Sequence, residues 1–461
     1  MAQNYILLET IELTQSAASV IFDNLPASGY TDLKVVISGR SSRSNPTDTL
    51  FMKINGTSTT YANRRIYGFA STAGSDNYAS TSGMDVGGIT GNTATANTYS
   101  SQEVYVPNYT SSSYKTISYD GVSENNSSSG NFLVMQATLW SNTAAITSLT
   151  FQADVGNLMS GSTFSLYGVA ADGTTPVTGP KAFGGNIVAN DGTYWYHAFL
   201  SSGTFTPATE LSCDYLVVAG GASGGCRYGG GGGAGGLRST VGTTGGGGSL
   251  ESLISVTAQN YPITIGAGGA SLVGVALRGN NGSNSTFSII TSIGGGGGGT
   301  AVTFNDGIAG GSGGGGIYQG IGGAGTANQG FAGGAGKNPN KYPQGGGGGA
   351  GAVGQTPASS TSNSGAGGAG VQITALSTPT LTGVSGYYAG GGGGGGSTDG
   401  GVAAPGAGGI GGGGSGGVVS GANGVAGVAN TGSGGGGGWG EGTNASGAGG
   451  SGIVIIRYAM A

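Results

Sequence analysis

The residues that could do chemistry are few. The chain has one histidine, two cysteines, 14 Lys+Arg and 19 Asp+Glu in 461 residues. His197 lies in an aromatic stretch, TYWYHAFL at 193–200, without a nucleophile or a recurring carboxylate partner. A Ser-His-Asp triad or a histidine metal cluster is therefore not expected, and the residue reads as structural. Cys213 and Cys226 are too few for a disulfide framework and read as free thiols. Glycoside hydrolysis needs two carboxylates flanking the scissile bond, and acids in the glycine-rich part are too sparse to nominate a pair. Asp306 and Asp399 stand alone, unlike the regularly spaced aspartates of calcium-binding nonapeptide repeats. Matches to G-x-G-x-x-G abound because 109 residues are glycine, but none combines a βαβ setting with a suitably placed acid. The expectation is a non-enzymatic protein with no cofactor and no obligatory metal.

What remains is recognition chemistry. Short inserts between glycine runs carry Tyr, Trp, Ser and Asn, the residues of adaptable binding surfaces. They include 338–343 (NPNKYP), 356–363 (TPASSTSN), 378–388, 397–399 (STD) and 439–444 (WGEGTN). The candidate surface residues are Tyr318, Lys341, Tyr342, Tyr387, Tyr388, Asp399, Trp439 and Glu441. For the aromatics the competing role is to plug the end of the element that carries them.

Composition narrows the class of partner. A net charge of -5 and the absence of a basic run argue against nucleic acid, which binds through cations that displace counterions from phosphate. No stretch of about 18 apolar residues is present, so no membrane insertion is expected. The start, with Glu9 and Glu12 inside its most apolar part, does not read as a signal peptide. Charged residues are 7% of the chain, yet 21 tyrosines and 12 phenylalanines make an ordered structure the better expectation than disorder.

The elements that must position the inserts are of two kinds. Residues 1–171 read as an all-β, antiparallel, jelly-roll-like sandwich of about eight strands, with short β-runs separated by Ser, Asn, Gly and Asp clusters. Leu33, Val35 and Ile37 alternate toward a core in a central strand, with Val36 out of phase. Asn55-Gly56 suits a hairpin turn; 131–140, 148–153 and 163–170 supply further strands. Polar loops are expected near 42–48, 73–102 and 108–130, leaving strand edges that subunits must cover, so a homo-oligomer is expected. Residues 172–212 read as a β connector.

Residues 213–461 are the glycine-rich domain, with runs at 229–233, 294–299, 345–349, 390–396 and 434–438. Glycine runs are usually flexible linkers, but a linker has no use for Ile263, Ile265, Phe287, Ile289, Ile290, Phe304 or Phe331 between them. A glycine chain can instead form a threefold polyproline II-like helix rising about 3.1 Å per residue, with its N–H and C=O groups facing outward. Without Cβ atoms such helices pack closely and satisfy one another's peptide groups, giving a polyglycine-II slab about 25 Å thick for eight-residue runs. The strand at 215–219 is expected to pair with the one at 451–458 and close the domain.

The stretches DYLVVAGG (214–221), YPITIGAGG (261–269), GNNGSNSTF (279–287) and GSGIVIIRY (450–458) together resemble the glycine-rich domain of phage structural proteins. The slab is also similar to the fold of adhesins on phage tail-fibre tips. The N-terminal LLETIEL (7–13), YTDL (30–33) and SLYG (165–168) are similar to a sandwich module of phage virion proteins. The resemblance implies a virion location, attachment to capsid or tail proteins through 1–171, and a homo-oligomer for which a trimer is the habit of fibrous phage proteins. A capsid decoration or head-fibre subunit is the first expectation. A receptor-binding tail-fibre adhesin contacting a host glycan or outer-membrane protein is the alternative, and an ice-binding protein the minor one.

Overall fold

The computed structural model describes the chain apart from residues 1–4, 24, 58–60, 127–129, 171–178, 275–276, 302–304, 338–341, 361, 398–402, 419–421, 441–443 and 461. The fold is all-β and divides into unit 1, residues 1–180 with 186–190, and unit 2, residues 181–185 with 191–461. The stretch read as a connector is shared out between them. Its strand at 187–190 pairs with the first strand of unit 1, where Asn186 also donates to the Glu12 carboxylate at 3.1 Å.

Unit 1 contains β1 (Tyr5–Glu12), β2 (Val20–Phe22), β3 (Tyr30–Gly39), β4 (Thr47–Ile54), β5 (Tyr61–Phe69), β6 (Thr72–Ser80), β7 (Met84–Thr90), β8 (Ser100–Val106), β9 (Lys115–Ser123), β10 (Phe132–Trp140), β11 (Leu149–Ala153) and β12 (Thr163–Ala170). After β13 (Ala182–Phe183) in unit 2, β14 (Ile187–Asn190) returns to unit 1. The strands form two antiparallel layers, β14-β1-β12-β3-β8-β9-β10-β5-β6 and β2-β11-β4-β7. Phe22, Leu50, Met52 and Phe151 from the smaller layer meet Val35, Val104, Tyr119 and Phe164 from the larger in one apolar core. β3 is central, between β12 and β8; Leu33, Val35 and Ile37 point inward and Val36 is 39% exposed.

Two expectations change. The regions read as long polar loops contain β6, β7 and β9. In β9 the inward positions alternate strictly but are Lys115, Ile117, Tyr119, Gly121 and Ser123, so three of the five carry no apolar signal. Lys115 is buried because its ammonium donates to the carbonyls of Ser111 (2.7 Å) and Ala144 (2.6 Å) and lies over the Trp140 ring. The Asn55-Gly56 turn forms, with both residues at positive φ and Thr57 N–H donating to Ile54 C=O at 3.0 Å. It makes no hairpin, because β4 enters the smaller sheet and β5 the larger.

Unit 2 contains β13, β15 (Tyr194–Phe199), β16 (Gly203–Pro207), β17 (Leu211–Val218), β18 (Leu237–Ser239), β19 (Ile254–Val256), β20 (Tyr261–Thr264), β21 (Ser285–Phe287), β22 (Ile290–Ser292), β23 (Val371–Gln372), α1 (Thr374–Thr380), β24 (Tyr387–Tyr388) and β25 (Ile453–Ala459). The expected closing pair is present: β17 runs antiparallel to β25 from Asp214↔Arg457 to Val218↔Ile453. β18 and β15 flank it, and a second sheet has the order β13-β16-β20-β21-β22. The side chains between the two sheets are aromatic. Phe205 lies 5.2 Å from His197, 6.0 Å from Phe287 and 6.4 Å from Tyr458, ring centre to ring centre. Phe287 and Ile290 are buried, but Ile289, read as an anchor, sits at the β21–β22 turn and is 84% exposed.

His197 is fully buried in this core. Its Nδ1–H donates to Gly184 C=O at 2.6 Å and its Nε2 accepts from the Tyr458 hydroxyl at 3.0 Å. That arrangement satisfies the neutral ring, and burial lowers its pKa from 6.5 to about 4. Above pH 6.5 the folded and unfolded chains are both neutral here and the contribution to stability is complete. Between 6.5 and 4 the unfolded chain takes up a proton that the folded one refuses, so stability falls with falling pH; below 4 the loss levels off. Denaturant titrations of wild type and His197→Gln at pH 7.5 and pH 5 are expected to show a smaller pH-dependent loss in the variant.

Candidate functional site

The site is built on the glycine runs, and their geometry follows from the hydrogen bonds of run 229–236. Its N–H groups turn to three neighbours in strict rotation. Gly229, Gly232 and Gly235 donate to the carbonyls of Gly438, Gly435 and Gly432; Gly230, Gly233 and Gly236 donate to those of Gly299, Gly296 and Ile293; Gly231 and Ala234 donate to those of Gly345 and Gly348. Its carbonyls rotate in the same way onto three further runs. Gly395 and Gly392 donate to Gly229 and Gly232; Gly225, Ala222 and Ala219 to Gly230, Gly233 and Gly236; Gly315 and Ser312 to Gly231 and Ala234. A period of three residues with six surrounding runs is the polyglycine-II lattice, and the distances, 2.8–3.1 Å, are those of ordinary peptide hydrogen bonds.

Space, more than backbone conformation, demands glycine here. The glycines of this run are not at positive φ, so any residue could adopt the backbone. A Cβ on Gly231, however, would overlap the Gly392 carbonyl, 2.6 Å from its carbon, and stand 2.8 Å from the Gly347 nitrogen. At the perimeter the requirement relaxes to one position in three. In GNNGSN (279–284) and GVAGVA (424–429) the glycines face the slab and the residues between them are exposed.

Because the runs reverse at each end, every neighbour of run 229–236 brings a turn to one of two faces. β17 leads into run 219–225 and run 445–450 leads into β25, so strands occupy one end. At the opposite end lie the Cys226–Tyr228 turn and the ends of runs 293–299, 312–316, 389–396 and 432–438, with the start of run 344–349. Loops separated by more than two hundred residues in sequence thus become neighbours around one glycine helix.

Tyr318 and Tyr342 meet at this loop end, with ring centres 5.2 Å apart and planes at 76°. Both are at positive φ, and Tyr318 packs on a small cluster of Tyr228, Ala301 and Ile317. Trp439 follows run 432–438 at the same end; it is half-buried, and its indole N–H has no hydrogen-bond partner among the described residues. The buried Gln344 Oε1 beneath Tyr342 is likewise unpartnered among them. Lys341, Asp399 and Glu441 lie outside the described residues.

Tyr387 and Tyr388 do not join this group. They form β24 at the strand end, paired with β23 as Val371↔Tyr388 and Gln372↔Tyr387, beside α1, which occupies part of the insert read as a loop. Tyr388 is fully buried, its hydroxyl 2.6 Å from that of Thr382, and cannot serve as a surface contact. The misplacement has a simple cause: inserts alternate between the two ends with each reversal of the chain, and 371–388 falls on the strand side. Sequence reasoning missed Tyr228, which is 3% exposed and serves not as a surface contact but as the buried support on which Tyr318 packs. The signal was present, since CRY at 226–228 interrupts the run that proves central.

The arrangement holds aromatic faces and uncharged hydrogen-bonding groups on a rigid support. Both cysteines are buried and neither forms a disulfide. Among the described residues no group of three or more His, Cys, Asp or Glu side chains is placed to hold a metal ion. The sequence model of the glycine-rich domain family matches residues 200–459, more than half of the chain, and the protein belongs to that family. No curated protein matches the sequence closely enough to count as a relative.

The lattice predicts a graded response to a single methyl group. Gly231→Ala forces a Cβ into the Gly392 peptide and is expected to cost at least about 2 kcal/mol, the scale of overpacking a tight core. Val425→Ser, at a perimeter position 52% exposed, is expected to change stability by less than about 0.5 kcal/mol. Equilibrium denaturation of the two variants measures the difference.

Proposed function

We propose that the chain is a non-enzymatic structural subunit of a bacteriophage particle, attached through its N-terminal sandwich and displaying the loop end of the glycine slab. The observation that carries this reading is the asymmetry of the slab. One end is occupied by paired strands and an aromatic core, and the other gathers turns from remote parts of the sequence onto one hydrogen-bonded support. Loops on a rigid scaffold are where recognition residues concentrate. The resemblance of 214–221, 261–269, 279–287 and 450–458 to phage glycine-rich domains supplies the particle setting. Cryo-electron microscopy of particles carrying the chain tests it: the reading expects unit 1 against the capsid or tail surface, and density for the chain inside the particle, or none on it, would overturn it.

A specific observation favours the receptor-binding form of this proposal over decoration alone. Tyr318 and Tyr342 make an edge-to-face ring contact between two separate turns, and Trp439 stands half-buried at the same end. Aromatic rings held on a rigid support are suited to the apolar faces of a surface glycan, and aromatic residues dominate binding energy where such surfaces are used. The double variant Tyr318→Ala/Tyr342→Ala is expected to reduce adsorption of the particle to its host at least about tenfold, with circular dichroism confirming that the variant keeps its fold. Unaltered adsorption with a folded variant leaves decoration as the role.

A further inference from the structure

The two layers of unit 1 are unequal, nine strands against four, and β7 is an edge of the smaller one. A cavity of about 240 Å³ lies where β4 and β7 meet β5 and β10. Gly87 and Gly88 of β7 give it room; a Cβ on Gly88 would stand 3.3 Å from the Phe132 ring. Phe132 and Phe69 line it, opposed in register and edge to face with ring centres 6.2 Å apart, and Phe69 is 41% exposed. The polar lining is two ion pairs, Arg43–Asp48 at 3.3 Å and Arg65–Asp85 at 3.2 Å, and in each the carboxylate is the more buried partner. Arg65 is held by Asp76 as well, at 2.9 Å. Asp85 Oδ2 accepts from Arg65 and from the Tyr78 hydroxyl, whereas Oδ1 accepts only the Gly87 N–H, at 2.7 Å, and keeps room for one more donor. A guanidinium carries five N–H donors, and neither arginine uses all of them on its carboxylates.

We propose that this cavity binds one hexopyranose unit of an uncharged sugar. Charge excludes an ionic ligand. Both guanidinium groups are already neutralised within 3.3 Å, so an anion gains no unpaired cation and meets the Asp85 carboxylate, while a cation meets the two arginines. An apolar side chain from a partner would bury the remaining N–H donors without acceptors, which is costly. A hydroxyl satisfies both kinds of group, accepting from a guanidinium N–H and donating to Asp85 Oδ1. The C–H face of a pyranose suits the exposed ring of Phe69, so one amphipathic ring matches the polar and the aromatic lining together. The volume lies below the roughly 300–1,000 Å³ of pockets for drug-sized ligands, which fits a single ring. The site belongs to unit 1 and rests neither on the loop end of the slab nor on the phage setting.

Saturation-transfer NMR titration of the full chain tests the site. The neutral probes are the methyl glycosides of glucose, mannose and galactose, and the charged ones are glucuronate and glucosamine. At least one neutral glycoside is expected to bind with a millimolar dissociation constant. Phe69→Ala removes the exposed ring, and Arg43→Gln removes guanidinium donors while Asp48 keeps the Ser41 hydroxyl and the N–H groups of Thr49 and Gly156. Each substitution is expected to weaken binding at least about fivefold, with circular dichroism confirming the fold. Absence of binding by all three neutral glycosides, or binding indifferent to both substitutions, overturns the proposal. So does glucuronate or glucosamine bound more tightly than the neutral glucoside, since either result would make the cavity an ion site.

Discussion

Each peptide group inside the slab is hydrogen bonded to a different segment of chain, and unit 2 is organised around that requirement. In an α-helix the partner is four residues away and in a sheet it lies on one of two neighbours. In run 229–236 it lies on one of six, chosen by position modulo three. A net hydrogen bond is worth only about 1 kcal/mol, and ordering glycine costs more backbone entropy than ordering any other residue. The slab is favourable because a buried peptide group has no alternative partner once its neighbours are in place, so leaving the lattice forfeits several bonds together. This cooperative lattice stands where unit 1 has an apolar core of Phe, Leu, Met and Val.

The lattice also separates what the sequence must keep from what it can vary. Interior runs need glycine at nearly every position and perimeter runs at one in three, so depth in the slab is encoded as the step from continuous glycine to Gly-X-X. The turns are outside the lattice, and their constraints are reach, backbone conformation and the small cluster of Tyr228, Ala301 and Ile317 beneath Tyr318. Exposed turn positions at the loop end can therefore vary at little cost to the lattice, while β17 and β25 hold the two ends of the slab's chain together at the other face. Turn residues at positive φ, such as Tyr228, Tyr318 and Tyr342, mark where the chain leaves one run and enters the next.

How much was legible in the sequence varied with the kind of order. The slab could be read because poly-glycine has few ways to satisfy its peptide groups, and the closing strand pair because 215–219 and 453–458 are both continuous apolar strands. Strands such as β6 and β9 escaped notice, since their inward positions include Ser, Gly and Lys and their register is set by neighbours distant in sequence. The Asn55-Gly56 turn was visible, but which sheet each flanking strand enters is decided by the core, and that is not a local property. The candidate loop residues divided similarly. Tyr318, Tyr342 and Trp439 are together, whereas Tyr387 and Tyr388 are on the other end, because assigning an insert to a face requires knowing how many times the chain has already reversed.

The same geometry constrains how unit 2 folds. Run 229–236 cannot complete its bonds until 293–299, 312–316, 345–348, 392–395 and 432–438 have arrived, so its hydrogen bonds close loops as long as that from Gly229 to Gly438. Non-local contacts slow folding because loop entropy is lost before the contacts compensate. The pairing of β17 with β25, by contrast, brings two strongly apolar strands together and shortens every remaining search, since the first run and the last are then adjacent. The aromatic core around Phe205 completes that end without any glycine lattice. Strand closure thus shortens the search that the lattice requires, because it sets the first run, 219–225, beside the last, 445–450, before any interior run has to find its partners.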